Sequence, residues 1–217
     1  QSDCFICISG ADFSVKLDEV LVRLNTVISV KKGSILSFGK RNYGIRIYLA
    51  VLGGFQSEKA LKSSSFYKGI SKENLIKKGD LLTIKPNQSI KIKTFSSIKI
   101  NQNHFKSKQL ECFKGPEFDF LSDAQIQQLK NMEFSISSDN NRMGYRLNEI
   151  IENNFSSMLT SAVLPGTVQL TPSGKLIVLM RDCQVTGGYP RVLQLSENAI
   201  NQLAQKTTGD NFQFIIN

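Results

Sequence analysis

The densest set of chemically capable residues in this 217-residue chain lies between positions 175 and 190. Leu176, Ile177, Val178, Leu179 and Met180 form an unbroken apolar run of strand length, which reads as a strand covered on both faces. It ends in Arg181, Asp182, Cys183, Gln184, Val185, Thr186, Gly187, Gly188, Tyr189 and Pro190, so a charge pair, an amide, a hydroxyl and two glycines gather where the strand emerges. Adjacent glycines let the backbone turn with positive φ and let a ligand approach bare N–H groups, while Asp182, Gln184 and Tyr189 can fix its orientation. The plainer alternative is a Gly-Gly turn between two strands with Tyr189 packed over it. Upstream, residues 139–147 form a second polar cluster in which Arg142 and Arg146 can grip a carboxylate or phosphate through paired hydrogen bonds.

These stretches carry a resemblance. The run Asn141-Arg142-Met143-Gly144-Tyr145-Arg146-Leu147, then Ser161, Gly166 and Gln169, then Asp182, Gln184 and Thr186-Gly187-Gly188-Tyr189-Pro190, resembles the carboxyltransferase subdomain A/B family. That family includes the C subunit of bacterial ATP-dependent 5-oxoprolinase, KipA-type antagonists of a kinase inhibitor, proteins labelled allophanate hydrolase subunit 2, and part of urea carboxylase. Residues 44–54 and Gly115-Pro116 also fit, and the match is most specific in the last third of the chain. The chain departs from the family where Lys62, Ser63, Ser64, Ser65 and Phe66 replace a Gly-Ser-Arg-Ser-Thr-like run, and where Ser71 and Lys72 replace Gly-Arg.

The resemblance implies cyclophilin-like barrel lobes and a part in opening the lactam of 5-oxoproline to glutamate at the expense of ATP. The expected partners are the KipI-like B-type component of 5-oxoprolinase and a further, A-type hydrolase component, with ATP bound somewhere in the complex. Asp182, Arg142 and Tyr189 take the catalytic places in this expectation. Arg142 would clamp a carboxylate or phosphate, and Asp182 would orient the ligand or accept a proton. Asn141, Gln169, Gln184, Thr186, Gly187 and Gly188 would bind substrate, the two glycines offering N–H groups to a developing oxyanion. For Arg142 and Asp182 the alternative is an internal salt bridge bracing the barrel. Two other functions stay open: part of a biotin-dependent carboxyltransferase or allophanate hydrolase that acts on a small amide, and a non-catalytic KipA-like regulator.

The elements that must position these residues are mainly β. Residues 167–170, then Thr171, Pro172, Ser173 and Gly174, then residues 175 onward, read as a strand, a tight turn and a strand. Ser122 with Gln125 three residues on is a capping box, preceded by Leu121, and Ser196 opens a second helix in the same manner between Leu195 and Ile200. Two short helices inside β sequence suit a closed or nearly closed antiparallel barrel. The expected division is a β lobe over residues 1–114 and a motif-bearing barrel over 115–217, with Gly115-Pro116 as the boundary. In the first lobe, strands are expected over 4–9, 13–17, 20–24 and 27–30 with a turn at Gly10-Ala11-Asp12. Further strands follow near 80–84, 89–94 and 109–113, and a loop over 56–74. Residues 30–38 and 76–84 share one form, a lysine pair and glycine launching an apolar strand, which internal duplication or convergent turn chemistry explains equally. Arg46 and Tyr48 either line a groove or form an ordinary outer face. The chain opens on Gln1 and enters a strand almost at once, so the start of its first lobe is expected to be missing.

Composition excludes several classes. One histidine, His104, removes most support for a Ser-His-Asp triad or a histidine-rich metal centre, and no metal site is expected. Cys4 and Cys7 lie in a strand, where residues three apart point to opposite faces, so they read as ordinary buried thiols. The net charge of +9 is concentrated in lysines between 59 and 114, a stretch without arginine and poor in aromatics, which reads as a solvated face rather than a specific nucleic-acid surface. With no apolar run of about 18 residues and no basic-then-apolar start, a cytoplasmic protein is the default expectation.

Overall fold

The computed structural model describes residues 2–67, 69–72, 75–85 and 98–217. The strand expected over 89–94 lies outside the described residues. The chain divides into two units, one of residues 1–42 and 47–99, the other of residues 43–46 and 100–217. Sixteen basic against seven acidic residues fall in the first unit and eleven against eleven in the second, so the whole net charge of +9 belongs to the first.

The first unit is built on β1 (Cys4–Asp12), β2 (Lys16–Leu17), β3 (Val20–Leu21), β4 (Val27–Val30), β5 (Leu36–Ser37) and β6 (Tyr43–Val51). They form two three-stranded sheets, ordered β4-β1-β6 and β3-β2-β5, over a small core of Ile6, Ile8 and Val15. The turn expected at residues 10–12 falls later, because Ala11 is fully buried and β1 runs on to Asp12. Asp12 then accepts the amide of Ser14 at 2.8 Å and turns the chain there. The two lysine-glycine segments close alike, the amide of Ser34 on the carbonyl of Lys31 and that of Asp80 on Lys77, both at 3.1 Å. Only an isolated bridge between Phe55 and Ile84 stands where a strand was expected near 80–84.

The second unit holds α1 (Asn103–Lys106), β7 (Gln109–Lys114), α2 (Asp123–Asn131), β8 (Phe134–Asn140), β9 (Gly144–Ile150), β10 (Ser161–Ala162), β11 (Thr167–Leu170), β12 (Lys175–Leu179), β13 (Thr186–Gly187), β14 (Arg191–Leu195), α3 (Glu197–Leu203) and β15 (Asn211–Ile216). Seven strands close into a barrel in the order β11-β12-β9-β8-β15-β7-β14. Alternation drives the closure: Tyr145 and Leu147 of β9 point into the core while Arg146 and Asn148 point out. Phe134, Phe212 and Phe214 fill the interior, with ring centroids 5.0–6.3 Å apart. Both expected helices are present, with the Ser122–Gln125 box closed in both directions and Ser196 accepting the amide of Ala199. The one-turn α1 was not foreseen.

Two features differ from the expectation. The barrel is not wholly antiparallel, because β15 runs parallel to β7, a pairing possible here because nearly the whole lobe serves as the crossover between them. β7 itself, placed in the first lobe by the sequence reading, is a barrel strand between β14 and β15. Gly115 is therefore a strand end rather than a linker: its amide bonds the carbonyl of Val192 at 2.9 Å, and a Cβ there would lie 2.1 Å from the carbonyl oxygen of Arg191.

Candidate functional site

The hairpin of β11 and β12 forms where Thr171-Pro172-Ser173-Gly174 dictates, closed by the amide of Gly174 on Thr171 and that of Thr171 on Lys175, both at 2.9 Å. Its register sets the site. Gln169 of β11 lies opposite Ile177 of β12, and Ile177 lies opposite Arg146 of β9; one row along, Leu179 faces Gly144. The buried Val178 and Tyr145 occupy the alternate, inward positions, so these five residues share the outer wall of the barrel. They floor a cleft of about 250 Å³ whose remaining lining is Asn141, Met143, Gln184 and Tyr189. The strand core is covered as expected, except that Ile177 is half-buried because it floors this cleft.

The cleft brings together four of the nine residues singled out from sequence, Asn141, Gln169, Gln184 and Tyr189, and adds Arg146. Three of its five polar side chains are primary amides, and no carboxylate lines it. Asn141 holds its own turn, its Oδ1 accepting the amides of Met143 at 2.8 Å and Gly144 at 3.3 Å. Arg146 bonds Asp139 at 2.6 Å through one Nη. Gln169 is only 2% exposed, and its Nε2 has no hydrogen-bond partner among the described residues. Larger hollows exist, one of about 770 Å³ beside α2 and one of about 300 Å³ in the first unit, but neither is lined by these residues.

The other five residues do different work. Arg142 and Asp182 form a two-pronged ion pair, Nε to Oδ2 at 2.6 Å and Nη2 to Oδ1 at 2.9 Å, reinforced by the amide of Asp182 on the carbonyl of Arg142. This is the geometry of the bracing alternative, and it ties the β8–β9 turn to the end of β12. The hydrogen bonds from Arg142, with its charge and that of Arg46, hold the Asp182 carboxyl below its usual range. A carboxylate so engaged is a weak base. Thr186 and Gly187 form a short strand against Ser161 and Ala162, and neither Gly187 nor Gly188 adopts positive φ, so the Gly-Gly pair is not a turn. Glycine at 187 leaves room for the Gln169 amide where it stands: a Cβ would sit 2.5 Å from its Nε2 and make it shift. Gly188 accepts the amide of Met158 at 2.8 Å.

Sequence reasoning missed the pair that locks this wall. Glu117 accepts the amide, Nε and Nη2 of Arg191 at 2.8, 2.9 and 2.7 Å, and Nη1 of Arg191 reaches the carbonyl of Ala162 at 2.8 Å. The Arg191 guanidinium pulls the Glu117 carboxyl below its ordinary value, and Glu117 raises Arg191 in turn. Arg191 thus fixes β14 and β10 on either side of the segment bearing Tyr189. The partners lie 74 positions apart, and no local pattern links them. All four cysteines are free thiols; Cys4 and Cys7 are part-exposed rather than buried as expected, whereas burial pushes Cys112 up to about 12. No group of three or more His, Cys, Asp or Glu among the described residues is arranged to hold a metal.

The second unit is thus a closed barrel with a small amide-lined cleft on its outer wall. Over residues 1–216 the chain matches the carboxyltransferase domain, subdomain A and B, and it belongs to that family. It is 30% identical over 221 residues to the 5-oxoprolinase C subunit of Escherichia coli (strain K12), covering 99% of this chain and 70% of that protein. The corresponding figures for the 5-oxoprolinase C subunit of Haemophilus influenzae are 30% over 226 residues, 99% and 70%. Urea amidolyase of Saccharomyces cerevisiae is 28% identical over 154 residues, 65% of this chain and 8% of that protein. Among solved structures, Kluyveromyces lactis urea amidolyase shares the fold with a TM-score of 0.80 at 24% identity, over 99% of this chain and 14% of that one. Urea carboxylase of the same organism does so at 0.80 and 23%, over 99% and 21%.

Proposed function

We propose that this chain is the C-type component of an ATP-dependent 5-oxoprolinase, binding the lactam while partner subunits supply the rest of the reaction. The observation that carries the proposal is the cleft itself, where Asn141, Gln169, Gln184, Tyr189 and Arg146 converge on a space sized for a small ring. Amide side chains offer a donor and an acceptor each, which suits a neutral amide, and Arg146 suits the carboxylate of 5-oxoproline. Thirty per cent identity to two proteins named as the C subunit of 5-oxoprolinase supports the same reading.

The same donor set does not fit ATP. A triphosphate calls for several cations or a glycine-rich cradle, whereas the cleft contains a single cation, Arg146. The proposal therefore leaves nucleotide outside this cleft, elsewhere in the complex with the KipI-like B-type and A-type hydrolase components. In the proposed division of labour, this chain orients the lactam and shields it along Ile177 and Leu179. Activation of the amide oxygen and delivery of water fall to groups outside the cleft, because Asp182 is committed to Arg142. A cytoplasmic setting belongs to the same proposal; no helix among the described residues is long and apolar enough to cross a membrane.

A second reading, biotin-dependent carboxylation of a urea-like amide, draws on the similarity to yeast urea amidolyase. No Met-Lys-Met context for biotin occurs in these 217 residues, so a carrier would lie outside them. Purified full-length protein, with and without its genomic neighbours, distinguishes the two. Glutamate released from 5-oxoproline and ATP only in the presence of the partners supports the proposal. Turnover by the isolated chain unchanged by partners, or carboxylation of urea in place of glutamate release, overturns it.

A further inference from the structure

The unsatisfied amide of Gln169 identifies what the cleft reads. Gln169 is 2% exposed, its Nε2 lies where a Cβ at position 187 would come within 2.5 Å of it, and it has no hydrogen-bond partner among the described residues. Leaving such a donor unmade costs about 1–3 kcal/mol, a penalty that a bound acceptor removes. The amide can turn about its last bond and present either its NH2 or its carbonyl, and side by side these form one edge with a donor and an acceptor.

An edge of that kind is complementary to one class of small molecule. In a lactam or a urea the N–H and C=O lie on the same side of the C–N bond, so both can pair with the edge of a primary amide. An open-chain secondary amide holds them on opposite sides, and turning it to cis costs about 2.5–4 kcal/mol. We infer that Gln169 recognises its ligand through a two-hydrogen-bond pairing with the cis-amide edge, making it the residue by which the cleft selects lactams and ureas over open-chain peptide amides. The inference rests on the reading of the cleft as an amide site and adds to it the residue and the edge. Gly187 belongs to the same device, since a Cβ there would lie 2.5 Å from Nε2 and displace the Gln169 amide.

The test is calorimetric binding of 2-pyrrolidone and N-methyl-2-pyrrolidone to the full-length protein assembled with its partner subunits. The two rings differ in the N–H that the pairing needs. The expected result is a preference of about tenfold or more for 2-pyrrolidone, the worth of one hydrogen bond, which collapses towards unity in Gln169→Leu. Equal affinity of the wild type for both rings overturns the inference. So does a preference that survives in Gln169→Leu, although that result leaves the amide-binding reading standing. Absence of saturable binding by either ring overturns both. If Gln169→Leu does not fold, the side-chain amide resonance of Gln169 in the wild type decides: a shift on adding 2-pyrrolidone but not its N-methyl analogue supports the pairing, and no shift refutes it.

Discussion

Replacing Glu117 by Ala should be the most damaging single change in the wall beside the cleft. The side chains of Glu117 and Arg191 are 8% and 20% exposed, and the substitution removes the acceptor of three hydrogen bonds of 2.7–2.9 Å. Breaking a buried ion pair from one side costs about 3–5 kcal/mol, because the remaining charge stays desolvated. The lower end applies here, since Nη1 of Arg191 keeps its bond to Ala162. For a unit of this size roughly 4 °C of melting temperature accompanies each kcal/mol, so about 3 kcal/mol predicts a fall of about 12 °C. Thermal denaturation followed by circular dichroism measures it, and the double variant Glu117→Ala with Arg191→Met should recover most of the loss because no orphan charge remains. A fall under about 3 °C, or a double variant no better than the single, would refute the argument. The pH dependence has a definite sign. The Glu117 carboxyl sits below its ordinary value of 4.5, so its contribution is complete above pH 4.5 and is lost as the pH falls through the lower folded value.

Asp182→Asn and Arg142→Ala should each lower stability by less than about 1 kcal/mol, as the Arg142 side chain is 71% exposed, while loosening the turn that carries Asn141 and weakening lactam binding. A severe fall in melting temperature with normal binding by the folded fraction would make the pair purely structural. Alkylation of the folded protein at neutral pH should spare Cys112, whose thiol is buried and pushed up to about 12. Labelling of Cys112 at the rate of an exposed thiol would contradict its placement in the barrel core. The lysine-rich first unit should bind DNA weakly, with an affinity that collapses by about 10³-fold or more between 50 and 200 mM salt. Sequence-selective binding that persists at the higher salt would overturn the reading of that surface.

What the sequence disclosed and what it hid divide along local and non-local lines. The β11–β12 hairpin was legible because Pro172, Ser173 and Gly174 dictate a turn locally, and both helix starts were legible because Ser122 and Ser196 bond amides three residues away. Gln184 and Tyr189 stood out as polar side chains after an apolar run and Asn141 as part of a polar cluster, whereas Gln169 was named only through the family resemblance; the structure lines one cleft with all four. Ile177 and Leu179 looked like core because the apolar run shows no alternation, although Ile177 faces the cleft. The parallel pairing of β7 with β15 joins strands about a hundred residues apart, as Leu110 with Phe214, and leaves no local trace. Gly115 misled for a physical reason: a glycine forced by close approach to Arg191 looks the same in sequence as one in a linker. Arg142 and Asp182 were given catalytic places on the resemblance, with an internal salt bridge as the alternative that the residues themselves allow. The structure shows that salt bridge.

The most direct test of the central claim is a crystal structure of the assembled full-length complex with 5-oxoproline bound. The lactam ring should lie on the outer wall of the barrel, its amide edge within hydrogen-bond distance of Gln169 and its carboxylate towards Arg146. Electron density for the ligand elsewhere, with Gln169 still unpartnered beneath Gly187, would contradict the account.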